Sequence, residues 1–322
     1  MAVIILVHGI AQEQSGADEL EGKWLPALAG GVRTAGFPII ADRLWRDRTA
    51  PNGIDTRMAF YGDLFLRPGQ QGLDPGPLSD VEAALAEQLA EVWLGRAAEH
   101  ASQPREKLMA ARELAATRGG VGTAQGPGEV VRLALKSLAK LFFFAPYGMA
   151  FAETFINRSL AQLTRYLTDE SIRSAAQDRV KSLIGPETKV VIGHSLGSIV
   201  AYEVTQQLRG PLPLLLTLGS PLGLDTIVYP RLRPQPPGFP MLVQRWVNVA
   251  DRDDFISAEP NLTDLFKTGI PHEAVFEGGY TVDNGAQPHR ADFYLSKVEV
   301  GRPIGSILNG MADERPHKEK NE

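Results

Sequence analysis

Residues 188 to 200 set a strand, a sharp turn and a helix in immediate succession, and no other stretch constrains the fold as tightly. Thr188-Lys-Val-Val-Ile192 is a short β-type run, and Leu196 opens an apolar, helix-compatible one. Between them stand Gly193-His-Ser-Leu-Gly197, a G-x-S-x-G pentapeptide. A strand that turns into a helix over so few residues strains the backbone at the apex, Ser195, and holds its hydroxyl above the sheet edge. Gly193 and Gly197 suit the turn because a side chain at either would collide with the neighbouring strand or helix.

The rest of the chain alternates strand-like and helix-like segments, which predicts an α/β fold with a mostly parallel sheet flanked by helices. Residues 3–7 form a continuous apolar run, as a central strand covered on both faces requires. A helix is expected over 20–35, a strand over 38–44, a strand and turn over 58–65, and further strands at 188–192, 212–218, 241–249 and 273–276. The segment from about 66 to 168 interrupts this rhythm. It opens with a Gly/Pro-rich loop at 67–77 and reads as helices over 78–98, 104–117, 130–144 and 150–168. So much helix exceeds one crossover, so it is read as a cap inserted over the carboxyl edge of the sheet. A helix over 169–183, capped by Asp169, leads into the 188–192 strand. The organisation expected is one domain over 1–310 and a charged, disordered tail over 311–322.

Composition narrows the function classes. The 322 residues are 43% hydrophobic and 22% charged, as in an ordinary globular protein. A formal net charge of −5 with no dominant basic stripe argues against nucleic acid. The absence of cysteine excludes disulfides, thiolate metal sites and cysteine nucleophiles. The apolar start, residues 1–7, has no basic flank and ends at His8-Gly9, too soon for a secretory signal. No run is long enough to span a bilayer, and a cytoplasmic location is expected.

Acyl transfer at a serine needs a base, an orienter for that base, and donors for the oxyanion. His289 suits the base: it lies in a loop after the last expected strand, in Gln287-Pro-His-Arg-Ala-Asp-Phe-Tyr294. Its competitor is His272, which precedes that strand. His194 adjoins the serine and is expected to face away. Asp251, Asp253 and Asp254 crowd the turn after the 241–249 strand, and the pattern of an acid followed by apolar residues selects Asp253, with Asp251 next. The oxyanion donors expected are the backbone N–H of Leu196, heading a helix, and that of Ile10 in the His8-Gly9-Ile10-Ala11 loop. His8 is expected to shape that loop by hydrogen bonding.

With these pieces in the chain order nucleophile, acid, histidine, the chain resembles the α/β-hydrolase superfamily, in particular its lipase- and esterase-like serine hydrolases. The resemblance rests on Leu6-Val-His-Gly9, Gly193-His-Ser-Leu-Gly197, Leu218-Gly-Ser-Pro221, the Asp253 turn and His289. It implies oxyanion donor, nucleophile, post-strand loop, acid and base at those positions, with no cofactor and no metal. The chain departs from the pattern in starting directly at the His-Gly strand and in its large helical insertion. The expected activity is cleavage of a carboxylic ester through an acyl-enzyme. Thioester, amide or peptide cleavage by the same residues, or a non-catalytic binding protein, are the alternatives.

Residues 141–152 are the most hydrophobic stretch of the insertion and are read as a lid or pocket wall facing an acyl chain or lipid interface. The buried-helix reading stands beside this one. Ser220 lacks the second glycine of an elbow and is assigned to packing or loop hydrogen bonding. The glycine-rich run at 119–128 lacks Gly-Lys-Ser/Thr and is read as a linker.

Overall fold

In the computed structural model the described residues are 2–66, 76, 78–101, 103–120, 138, 149–257 and 259–313. The elements in chain order are β1 (Ile4–Val7), α1 (Ala17–Thr34), α2 (Pro38–Leu44), β2 (Thr56–Ala59), α3 (Asp80–His100), α4 (Pro104–Gly120), α5 (Met149–Thr168) and α6 (Glu170–Lys181). They continue with β3 (Val190–His194), α7 (Leu196–Thr205), β4 (Leu214–Leu218), β5 (Arg245–Asp251), β6 (Val275–Val282), α8 (Ala291–Leu295) and α9 (Val298–Asp313). The six strands form one all-parallel sheet in the order β2-β1-β3-β4-β5-β6, flanked by helices. This is the α/β architecture expected.

Strands covered on both faces lose the apolar/polar alternation of a half-exposed sheet. All four residues of β1 and all five of β3 and β4 are buried. Ile4 and Leu6 face one layer with Leu20, Trp24 and Leu28 of α1 and Val300 and Ile304 of α9. Ile5 and Val7 face the other with Ile199 and Val200 of α7, Ile156 and Leu160 of α5, and Leu85 and Leu89 of α3. Removing any of these β1 side chains to Ala would cost about 2–5 kcal/mol.

The helices start where local chemistry satisfies their first N–H groups. Asp169 caps α6, accepting from Ser171 N and Ile172 N, as expected. Ser79 and Glu82 form a reciprocal capping box at the start of α3. In α5, Ile156, Leu160, Leu163 and Leu167 recur at helical spacing and are all buried in the core. Glu203 of α7 joins this helix to the sheet layer: it accepts from Tyr166 Oη of α5 at 2.7 Å and Gln177 Nε2 of α6 at 2.8 Å, with Arg173 3.8 Å away. Burial raises the Glu203 pKa, against the opposing pull of Arg173 and the Tyr166 hydroxyl. Breaking one member of so buried a set typically costs about 3–5 kcal/mol.

Two expectations are corrected. Residues 38–44 form a helix and not a strand, because Pro38 presets the first helical turn and Ile40, Ala41 and Leu44 share one buried face, as helical and not alternating spacing allows. The 58–65 segment is the strand and turn expected, its strand ending at Ala59 and a 3₁₀ turn following at Gly62–Phe65. The 241–249 strand begins only at Arg245, Met241 and Leu242 being exposed. The segments 67–77, 119–128, 130–144, 141–152 and 314–322 fall wholly or mostly outside the described residues. Among the described residues no helix is long and apolar enough to cross a membrane.

Candidate active site

Ser195 sits between β3 and α7 with φ 54° and ψ −128°. A side chain in left-handed backbone costs about 1–3 kcal/mol and persists only where the surroundings enforce it. Here they do. Ser195 N–H donates to Leu218 O of β4 at 3.0 Å, and a Cβ on Gly197 would stand 2.2 Å from Val7 O. The turn therefore closes against two neighbouring strands, and the hydroxyl stays at their carboxyl ends.

His289 reaches this hydroxyl from the loop between β6 and α8. Its Nε2 lies 2.9 Å from Ser195 Oγ, and its Nδ1 lies 2.7 Å from Asp254 Oδ2. Both the imidazole and the carboxylate are buried, at 8% and 0% side-chain exposure. Since a carboxylate only accepts, Nδ1 carries the proton and Nε2 is left to accept from the serine. Burial pushes the Asp254 carboxyl up, but the neighbouring His289 and the Tyr294 hydroxyl outweigh it and hold it below its ordinary value. The arrangement can take a proton from Ser195 Oγ and hold the resulting imidazolium against a fixed negative charge.

The residue facing the imidazole is Asp254, not the Asp253 chosen from the sequence pattern. Asp251 Oδ1 accepts the N–H of Asp253 at 2.8 Å, and Asp251 O accepts that of Asp254 at 3.3 Å. This tight turn leaves Asp253 half-exposed and rotates Asp254 inward under the ring. Tyr294 Oη of α8 then donates to Asp254 Oδ2 at 2.8 Å while accepting Asp251 N–H at 2.8 Å. Asp251 holds the loop that carries His289: its Oδ2 accepts from Asn284 N, and Asn284 Nδ2 donates to Pro288 O at 2.9 Å. Burial raises the Asp251 pKa to about 6. Tyr294 and Asn284 were not singled out from the sequence. Tyr294 stands five residues after His289, a spacing that could have been noticed.

His194 is also corrected. It does not face away from the site: its Nε2–H donates to His289 O at 2.9 Å, and the two rings lie 4.8 Å apart. Burial, with the adjacent His289 next, lowers its pKa to about 3, so it stays neutral. Two further histidines stand apart from the serine. His272 is exposed in the turn before β6, and His100 is exposed at the end of α3.

The loop leaving β1 lies against the serine, since a Cβ on Gly9 would come within 2.7 Å of Ser195 Cβ. Within it His8 accepts the N–H of Tyr61 through Nε2 at 3.0 Å and donates through Nδ1 to Gly9 O at 2.7 Å. Burial lowers its pKa to about 4, consistent with this neutral tautomer. In a trans peptide the N–H points opposite to the C=O, so tying Gly9 O to His8 turns the Ile10 N–H the other way. Leu196 is the first residue of α7, where the N–H has no acceptor within the helix. Ser220 accepts Leu222 N–H at 3.2 Å and bonds Ser198 Oγ at 2.6 Å, the loop role expected of it.

Comparison with known proteins adds no relative: no family model, curated protein or solved structure matches the chain.

Proposed function

We propose that the chain is a serine hydrolase of the α/β-hydrolase type that cleaves a carboxylic ester through an acyl-enzyme. The observation that carries this reading is the continuous chain from Ser195 Oγ to His289 to Asp254, at 2.9 and 2.7 Å. Hydrogen bonds of this length with a serine in a strained turn are the geometry general-base attack requires.

In the first half-reaction Ser195 Oγ bonds to the carbonyl carbon as its proton passes to His289 Nε2. Asp254 holds the imidazole by Nδ1 and stabilises its charge. The N–H groups of Ile10 and Leu196 receive the carbonyl oxygen as it becomes an oxyanion, aided by the positive end of α7. Collapse breaks the ester C–O bond, and the leaving alkoxide takes the proton from Nε2. Water then enters, gives its proton to Nε2 and attacks the acyl carbon. Ser195 recovers that proton as the acid departs.

The test is labelling with a fluorophosphonate probe together with turnover of p-nitrophenyl esters and acyl thioesters of graded chain length. The wild-type protein labels at Ser195 and hydrolyses esters, and Ser195→Ala does neither. Folded protein that neither labels nor turns over would leave a binding role for the fold. Turnover confined to the thioesters would move the substrate class while keeping the mechanism.

A further inference from the structure

Helix α5 belongs to the helical segment between β2 and β3, far in sequence from the loop that leaves β1, yet two of its side chains hold that loop. Gln162, 3% exposed, accepts the N–H of Ala11 through Oε1 at 2.9 Å. One turn earlier on the same helix, Arg158 forms an ion pair with Glu13, their side chains 10% and 8% exposed. The second carboxylate oxygen of Glu13 is buried without a hydrogen-bond partner among the described residues, so Arg158 is the charge that makes its burial tolerable.

The residue held by Gln162 is conformationally unusual. Among the described residues only Ala11 and Ser195 have positive φ without being glycine, at 60° and 54°. A left-handed alanine is a state the loop adopts only if something fixes it. Gln162 fixes the peptide plane between Ile10 and Ala11, and Gln12 Nε2 reinforces it by donating to Ile10 O at 3.2 Å. His8 fixes the preceding plane through Gly9 O. The two planes meet at Ile10, so its N–H direction is determined from both sides.

We propose that Gln162 is a positioning residue for the oxyanion loop, with Arg158 as its support, so that a helix of the insertion sets where the Ile10 N–H points. This rests on the hydrolase reading given above. Gln162 has no contact with Ser195, His289 or Asp254 in the hydrogen-bond network described, and it acts through the main chain of Ala11. The insertion is thereby part of the catalytic geometry as well as a cover over the sheet edge.

The experiment compares Gln162→Met, which removes the acceptor at similar length, with Gln162→Glu, which retains one. Arg158 is left intact, since losing it strands the buried Glu13 charge and endangers folding. Each variant is assayed for kcat and KM on a p-nitrophenyl ester and for affinity to a trifluoromethyl ketone, whose adduct with Ser195 places an oxyanion at the donors. Misplacing such a donor should lower kcat by about tenfold to 10²-fold in Gln162→Met, with KM changed little. Ketone affinity should fall by a similar factor, and Gln162→Glu should recover most of both. Wild-type kcat and ketone affinity in Gln162→Met would overturn the proposal. So would equal impairment of both variants, or a change confined to KM or melting temperature. Wild-type protein that neither labels with fluorophosphonate nor turns over would remove the hydrolase reading, and this inference with it. That failure is visible before any variant is made.

Discussion

His194 Nε2–H donates to the main-chain carbonyl of His289, so the residue before the serine grips the backbone of the residue facing the serine's hydroxyl. The strand end and the His289 loop are therefore tied to one another. His194→Phe keeps a ring in place but removes the donor. A net hydrogen bond of about 0.5–1.5 kcal/mol corresponds to about a 2- to 13-fold fall in kcat/KM. His194→Gln, which can present a donor, should lose less. Since burial keeps His194 neutral down to about pH 3, the fall should be the same at every pH where the protein is folded. Ester hydrolysis from pH 5 to 9 measures both points, and a loss that grows or vanishes with pH would contradict this role.

Asp254 and Asp253 are neighbours with different surroundings, and their variants should separate cleanly. Asp254→Asn leaves the shape intact but presents the wrong partner to Nδ1–H, which should cost about 10³–10⁴ in kcat. Asp253→Asn should leave kcat within about threefold, the scale of a half-exposed polar change of about 0.5 kcal/mol. Tyr294→Phe removes one donor to Asp254 and should fall between them, at about tenfold. Steady-state kinetics on one ester decides the order.

The strain at Ser195 should be visible as stability. Ser195→Ala keeps a Cβ at φ 54°, whereas Ser195→Gly releases it. Both variants should be inactive, but the glycine variant should be more stable than the alanine one by about 1 kcal/mol, after the unfolded-state entropy of glycine is counted. In a chain of this size that is about 1–3 °C in Tm, within reach of calorimetry. Equal or reversed melting temperatures would mean that the turn is held without strain.

Asp251 should give the folded state a pH signature. Burial raises its carboxyl to about 6, above the ordinary aspartate value of 3.8. Between those values the folded state holds a proton that the unfolded state releases. Stability from this group is therefore highest near pH 4 and declines as pH rises through about 6. Asp251→Asn, which stays neutral, lacks this slope. The stability of wild type relative to Asp251→Asn should improve by about 1–2 kcal/mol from pH 7 to 4, allowing for solvent screening. Urea unfolding at both pH values measures it.

What was legible in the sequence followed from local pattern. The all-buried strands at 190–194 and 214–218 read directly as apolar runs, and Ser195 and His289 followed from a turn that glycine must make and a loop near the end of the sheet. The 38–44 segment misled because two adjacent isoleucines look like a strand, and the burial of adjacent Ile40 and Ala41 together with Leu44 is what separates helix from strand. Asp254 was missed by one residue because the direction of a side chain in a turn depends on the hydrogen bonds of Asp251, which composition does not encode. His194 was placed facing outward because the loop it binds arrives from 95 positions away. Gln162 and Arg158 had no local signal at all, since their partners lie at 11 and 13.

The strand order has a consequence of its own. From β1 the chain crosses to β2 on one side by way of α1, whereas β3 lies on the other side and leads into α7. Helices α1 and α7 pack on opposite faces of the sheet. The loops at the carboxyl ends of β1 and β3 therefore leave toward opposite faces of the sheet, a topological switch point. Gly9 and Ser195, in contact with one another, mark the place where they part. The position of the proposed site is thus set by the winding of the chain, before any side chain in it has been chosen.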